Sequence, residues 1–305
     1  MHFSLVITTS GLLAVVSGHG LVTSIQGANG VTMPGLSVAD GTPRDCSSNG
    51  CGSQADTSII RDRELGTSKA SALGRTEGNG PVDASVMISN FMDNTGAPTN
   101  KGAASSSGVE DDLSGLKGAK QNKRGVIGNF INDLTGGGGS DSQGTQSDQA
   151  VENSVAASAG QGATSGLPTC SDDGSITMTF RQINQDGAGP MKADVDGTSG
   201  GTDPDAFQSA EVTQDVPGLP IIGGLSLATK TDFPLTVQMP AGMTCDATVA
   251  GVDNVCIVRV RNNAIAGPFG GSAAFTQSPA ARKRAIAYRL KKRAEGGKNQ
   301  NRRLR

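Results

Sequence analysis

Several short stretches of this chain alternate apolar and polar residues with a period of two, the pattern of a strand that buries one face. LVTSI (21–25) begins the series, and SITMTFRQI (175–183) sets Ile176, Met178 and Phe180 toward one side. LTVQM (235–239) and CIVRVRN (256–262) alternate in the same way, and SAAFTQ (272–277) stands where it can close the sheet. Glycine and proline turns separate these segments, so the expectation is an all-β fold, an antiparallel β-sandwich with long loops. With 44 Gly, no Trp and Tyr288 as its one tyrosine, the chain must fill that core with Val, Ile, Leu, Ala, Met and Phe.

The segments fall within one domain, expected at 19–278. Residues 1–18, MHFSLVITTSGLLAVVSG, read as a signal peptide: a short apolar run ends in Val16 and Gly18, small residues at the cleavage positions. The run is too short and too interrupted by Thr8, Thr9 and Ser10 to span a bilayer, and no later segment is apolar enough to do so. Residues 30–60 are turn-rich. PVDASVMISNF (81–91) is compatible with strand or helix, and Val126 to Leu134 with a short helix. The stretch 136–166, GGGGSDSQGTQSDQAVENSVAASAGQGATSG, has few apolar side chains to offset its ordering entropy and is expected to be a flexible, disordered Gly/Ser-rich insertion. No repeat period is visible.

Charge is unevenly spread. The chain has 26 Lys and Arg against 28 Asp and Glu, yet residues 281–305 hold eleven of the basic residues and one acid, Glu295. An acidic body thus carries a basic tail, 279–305. In a chain routed to secretion, Lys283-Arg284, Lys292-Arg293 and Arg302-Arg303 resemble dibasic processing sites, and the tail is read as processed or solvated rather than as a nucleic-acid-binding arm. Arg282 to Arg293 has helical character, which leaves a partner-binding helix open.

Five cysteines in an oxidising compartment imply disulfides. Proximity pairs Cys46 with Cys51 and Cys245 with Cys256, leaving Cys170 over. No C-x-x-C spacing supports zinc or thioredoxin-like chemistry.

Cleavage after Gly18 would make His19 the first residue and the one histidine left, since His2 departs with the leader. A free α-amino group and the imidazole of the same residue can chelate one metal ion, which is half of a copper site.

Four strings, HGLVTSIQGANG (19–30), PRDCSSNGCGSQADTSIIRDREL (43–65), LGRTEGNGPVDAS (73–85) and NVCIVRVRNNAIAGPFGGSAAF (254–275), resemble the secreted fungal appressorial virulence factors known as the MAS or GAS proteins. The ends of the chain also resemble lytic polysaccharide monooxygenases, copper enzymes on an immunoglobulin-like sandwich in which an N-terminal His and a second His brace the metal beside an axial aromatic residue. That resemblance implies His19 as a ligand and Phe275 as the axial packing residue. It also marks a departure, because in EGNGPV the second histidine's place falls to Gly78, leaving Glu77, Asn79 or Asp83 as substitutes. A cysteine that commonly follows GPFGG is here Ser272, which accounts for an unpartnered Cys170. Oxygen ligands in place of nitrogen weaken a site for cuprous copper. Recognition of a flat polysaccharide generally uses exposed aromatic rings, whereas this chain has no Trp, one Tyr in its tail, and eight Phe expected to serve mostly the core.

Other constellations carry less. Asp194, Asp196, Asp203 and Asp205 form an acidic string without EF-hand spacing, read as a solvated turn cluster rather than a calcium site. RDRELG (61–66) reads as surface ion pairs rather than a glycosidase acid–base pair. Neither a phosphate-binding loop nor a G-x-S-x-G elbow is present. The resulting expectation is a secreted, non-catalytic, virulence-associated protein at the host interface or appressorium, binding a host or cell-wall component, a glycan or an apoplastic protein. The alternative is a copper-dependent monooxygenase or copper-binding protein with His19, Glu77 and Asp83 as metal ligands.

Overall fold

The computed structural model describes residues 19–100, 144–218, 226, 228–264 and 267–303. The leader, the helix expected at Val126–Leu134 and residues 136–143 of the low-complexity stretch lie outside the described residues.

Among the described residues the strands in chain order are β1 (Gly20–Gln26), β2 (Thr32–Pro34), β3 (Ser58–Ile59), β4 (Arg75–Thr76), β5 (Gly80–Pro81), β6 (Thr145–Gln146), β7 (Ser175–Gln182), β8 (Lys192–Asp196), β9 (Gln208–Gln214), β10 (Thr231–Gln238), β11 (Ala247–Val249), β12 (Val252–Arg261) and β13 (Phe269–Thr276). They hydrogen-bond in the order β2-β1-β7-β10-β9-β8-β12-β13-β3-β4-β5, with β11 beside β12 and β6 beside β10, and every ladder is antiparallel. The fold is therefore all-β, as the alternation implies. Its two facing layers are halves of one curled sheet, joined at β9, which pairs with β10 on one side and β8 on the other.

Register explains the core. In β7, Phe180 stands opposite Val22 on one side and Phe233 on the other, and Met178 stands opposite Ile25 and Leu235. All six side chains are buried on the face that the alternation picked out. Burial of each is worth about 1.5–3 kcal/mol. The strand β12 departs from simple alternation: residues from Val255 to Val260 are all buried. Its second face is covered because Arg259 lies over Phe207, 4.2 Å from the ring centroid, and donates to the Ala72 carbonyl and the Asp194 carboxylate.

The curl brings β13 against β1. A Cβ on Gly271 would stand 2.6 Å from the Val22 backbone nitrogen, so only glycine permits this approach. Beyond β2, the Leu36 amide donates to the Ser272 carbonyl at 2.8 Å and fastens the same seam.

PVDASVMISNF resolves as helix, Ala84–Asp93. Asp83 caps it by accepting from the Ser85 amide at 2.9 Å, and Asn94 ends it in the left-handed conformation, φ 53°. Ala84, Met87, Ile88 and Phe91 form its buried stripe.

Residues 144–166 differ from the flexible loop that composition suggests. They contain β6 and two one-turn helices, Ser154–Ala157 and Gly162–Ser165, and Val155 is fully buried. What holds them is polar. The Asp40 carboxylate accepts from the Val155 and Ala156 amides, Asn90 donates to the Val155 carbonyl, and Glu152 pairs with buried Arg44 at 2.9 Å. The basic tail forms a helix from Pro279 to Arg303.

Candidate functional site

His19 lies immediately before β1 and is 1% exposed. The pairing of Gly20 with Gln182 sets it beside the end of β7, where the Ile183 and Asn184 amides donate to its carbonyl at 2.9 and 3.4 Å. The turn after β7 can close here only because residue 187 is glycine, since a Cβ there would sit 2.0 Å from the His19 carbonyl oxygen. That closure aims Asn184 at His19. Its Oδ1 accepts from the His19 backbone nitrogen at 2.7 Å, and its Nδ2 stands 3.2 Å from Nδ1 of the ring. With Nδ2 as donor, Nδ1 is the acceptor and the ring proton sits on Nε2. The ring also packs against Phe269, with centroids 4.5 Å apart and planes at 36°. The aromatic neighbour of His19 is thus Phe269. Phe275 is paired across the sheet with Cys256 and fully buried.

The two nitrogens that would chelate a metal are therefore both engaged by one side-chain amide. The other candidate ligands do not join them. Glu77 is held in an ion pair by Arg75, Asp83 is an exposed helix cap, and the Asn79 backbone N–H donates to Thr76 Oγ1. Among the described residues, no three His, Cys, Asp or Glu side chains converge to hold a metal ion. The donors present do not fit a three-ligand copper centre in this arrangement.

The other charged strings become structural parts. Arg61, Glu64, Arg75 and Glu77 form a chain of ion pairs, and Asp62 pairs with Arg261. Burial works against charge on Glu64, but hydrogen bonds and charge from Arg75 and Arg61 hold its pKa below the usual carboxylate value. Asp196 is fully buried and accepts from the amides of Thr198, Ser199 and Gly201, while Asp194 pairs with Arg259. The acidic string is thus a braced turn.

Both expected disulfides are present, Cys46–Cys51 and Cys245–Cys256, with Cα separations of 6.3 and 4.9 Å. Cys170 is free and buried. Burial and the charges of Asp173 and Asp172 push its thiol pKa up, the opposite of what a nucleophilic thiolate needs.

A groove of about 340 Å³ lies between the β10–β11 turn and the first turns of the C-terminal helix, with Met239, Met243 and Tyr288 as apolar walls and Asp173 and Arg284 at its polar margin. It can hold an apolar group beside a charge, but it brings no nucleophile together with a base. Sequence reasoning missed this groove, the Asn184 clasp and the Arg44 ion cluster. Each joins residues far apart in the chain, and the one local signal was the helical character of the tail.

Residues 17–270 match the family model described as Egh16-like virulence factor. The chain is 55% identical over 296 residues to the appressoria-specific virulence factor GAS2 of Pyricularia oryzae, covering 96% of this chain and 95% of that protein. It is 40% identical over 130 residues to the appressoria-specific virulence factor GAS1 of the same fungus, covering 41% of this chain and 50% of the other. No solved structure matches it.

Proposed function

The chain belongs to the Egh16-like virulence factor family, and from that premise we propose that it is a secreted, non-catalytic virulence factor acting at the host interface during appressorium-mediated infection. Its partner in this reading is a host or cell-wall component. The virulence role is supported by 55% identity over nearly the full length of an appressoria-specific virulence factor. Secretion is supported by the apolar leader and by two disulfides, which persist in oxidising compartments. No helix among the described residues is long and apolar enough to cross a membrane.

The observation that carries the non-catalytic part is the Asn184 clasp. A redox metal centre on His19 needs the backbone nitrogen and Nδ1 turned toward an ion, and here both face the Asn184 carboxamide.

Genetic and biochemical measurements test this reading. Deleting the gene in the source fungus should reduce penetration from appressoria, and the secreted protein should be recovered from the infection site. Complementation with His19→Gln, checked for folding by thermal melting, should restore penetration. Purified protein exposed to limiting copper should show no one-to-one copper adduct in native mass spectra and release no oxidised oligosaccharides with a reductant and oxygen. A stoichiometric adduct with such products, both lost in His19→Gln, would sink the non-catalytic reading.

A further inference from the structure

The C-terminal helix has two physically different halves. Its first turns are docked: Ser278 caps the start, and Ala281 and Ala285 are buried. Arg282 donates to the Cys245 carbonyl and pairs with Asp246 at 2.8 Å. Tyr288 stacks so closely on the turn below that a Cβ on Gly242 would meet its ring at 2.9 Å. Arg289, 3.2 Å from Thr244 Oγ1, makes the last hydrogen bond to the body among the described residues. From Leu290 onward the side chains described are all exposed, through Glu295. Lys292 lies over the Tyr288 ring of its own helix, 5.4 Å from the centroid.

This outer half has little to keep it helical. Through Glu295 it buries no apolar side chain, and it runs through Gly296 and Gly297, each costing about 1 kcal/mol relative to alanine. An unsupported helical segment of this length is marginal in water. The three dibasic pairs are therefore unequal. Lys283-Arg284 sits among the docked turns, whereas Lys292-Arg293 sits just past the last anchor, where the chain can open into the extended form that a protease cleft requires.

We propose that Lys292-Arg293 is a processing site for a dibasic-directed endoprotease of the secretory pathway, and that the docked turns protect Lys283-Arg284 from the same enzyme. Water adds across the Arg293–Ala294 amide, leaving a carboxylate on Arg293 and a free amine on Ala294. The released piece takes Lys298, Arg302, Arg303 and Arg305 with it against one acid, Glu295, so the processed protein is more acidic. The wall that the helix contributes to the groove, through Arg284 and Tyr288, remains. The in-cell form of the proposal rests on the secretory reading above.

The test that does not depend on secretion uses the purified full chain and a purified dibasic-directed endoprotease, with intact mass recorded over time. In the folded chain, cleavage after Arg293 should be at least about tenfold faster than after Arg284, since proteolysis follows the population of the locally opened form. A synthetic 279–305 peptide should lose that preference. Arg282→Ala with Arg289→Ala should undock the helix and speed the cut after Arg284. Equal rates at the two sites in the folded chain, or trimming only after Arg303, would overturn the proposal. In the fungus, the protein from the medium should end at Arg293, and Lys292→Gln with Arg293→Gln should lengthen it. Full-length protein in the medium would refute processing, whereas absence from the medium with a normal cut in vitro would refute secretion alone.

Discussion

His19 and Arg44 are both buried polar residues that tie distant parts of the chain together, but they do so by opposite means. His19 is met by a neutral amide, Asn184, and by an aromatic ring, Phe269. Arg44 is met by two carboxylates, from Asp56 on one side and Glu152 on the other, with no exposed guanidinium surface. The first arrangement needs no charge to be complete. The second works only while all three groups are ionised, and it holds the segment 144–166 in place. The residue whose type suggests chemistry is thus packed against an amide and a ring, and the stretch whose composition suggests a linker is fixed by a buried ion cluster.

The largest effect should come from Arg44→Ala. It leaves Asp56 and Glu152 buried without their cation, and breaking a buried pair in this way costs about 3–5 kcal/mol. Chemical unfolding should show that loss, and hydrogen exchange should show it first at residues 150–158. A loss below about 1 kcal/mol would make the cluster no better than a surface ion pair and would erase the contrast with His19.

Acid should act on the same contact more gently. Burial opposes charge on Glu152, yet Arg44 and the hydrogen bonds from Ser154 win and lower its pKa. A carboxylate depressed in the folded state contributes stability that is complete above the unfolded value, about 4.3, and is lost as pH falls through the lower folded value. Limited proteolysis of 144–166 should therefore rise below about pH 4. In Glu152→Gln that acid-dependent step should disappear, leaving the segment more open at neutral pH.

How much of this was legible follows from the range of each interaction. The faces of β7 and β10 and the two disulfides could be read because a period of two and a short spacing are local properties. The docking of 144–166 could not, because Glu152 finds its partner 108 residues away and its anchors are single polar groups rather than a hydrophobic pattern. Both-face burial of β12 was hidden for the same reason: Arg259 reads as a solvent-facing residue until Phe207 and Ala72 cover it. At the candidate site, His19 was visible as a residue type, whereas Asn184, 165 positions away, carried no signal of its role.

Asn184→Ala examines the neutral half of the comparison. It removes both contacts to His19 inside a buried site, and a buried group left without its hydrogen bond costs about 1–3 kcal/mol. The expected destabilisation is smaller than that of Arg44→Ala. A cost exceeding that of Arg44→Ala would reverse the ranking of the two regions.

The smallest effect is the most discriminating. Asp83 caps the Ala84–Asp93 helix through the Ser85 amide, and replacing such a cap with alanine costs about 1 kcal/mol, while asparagine caps nearly as well as aspartate. Asp83→Ala should therefore lower the melting temperature slightly and Asp83→Asn should leave it unchanged. A carboxylate serving a metal would behave differently, because exchanging it for an amide removes the charge that binds a cation while keeping the helix start intact. If Asp83→Asn preserved stability but abolished a copper adduct seen with the parent chain, the carboxylate would be a ligand and His19 would have to leave Asn184 to meet it. If neither variant changes metal binding, Asp83 serves the chain as a helix cap alone.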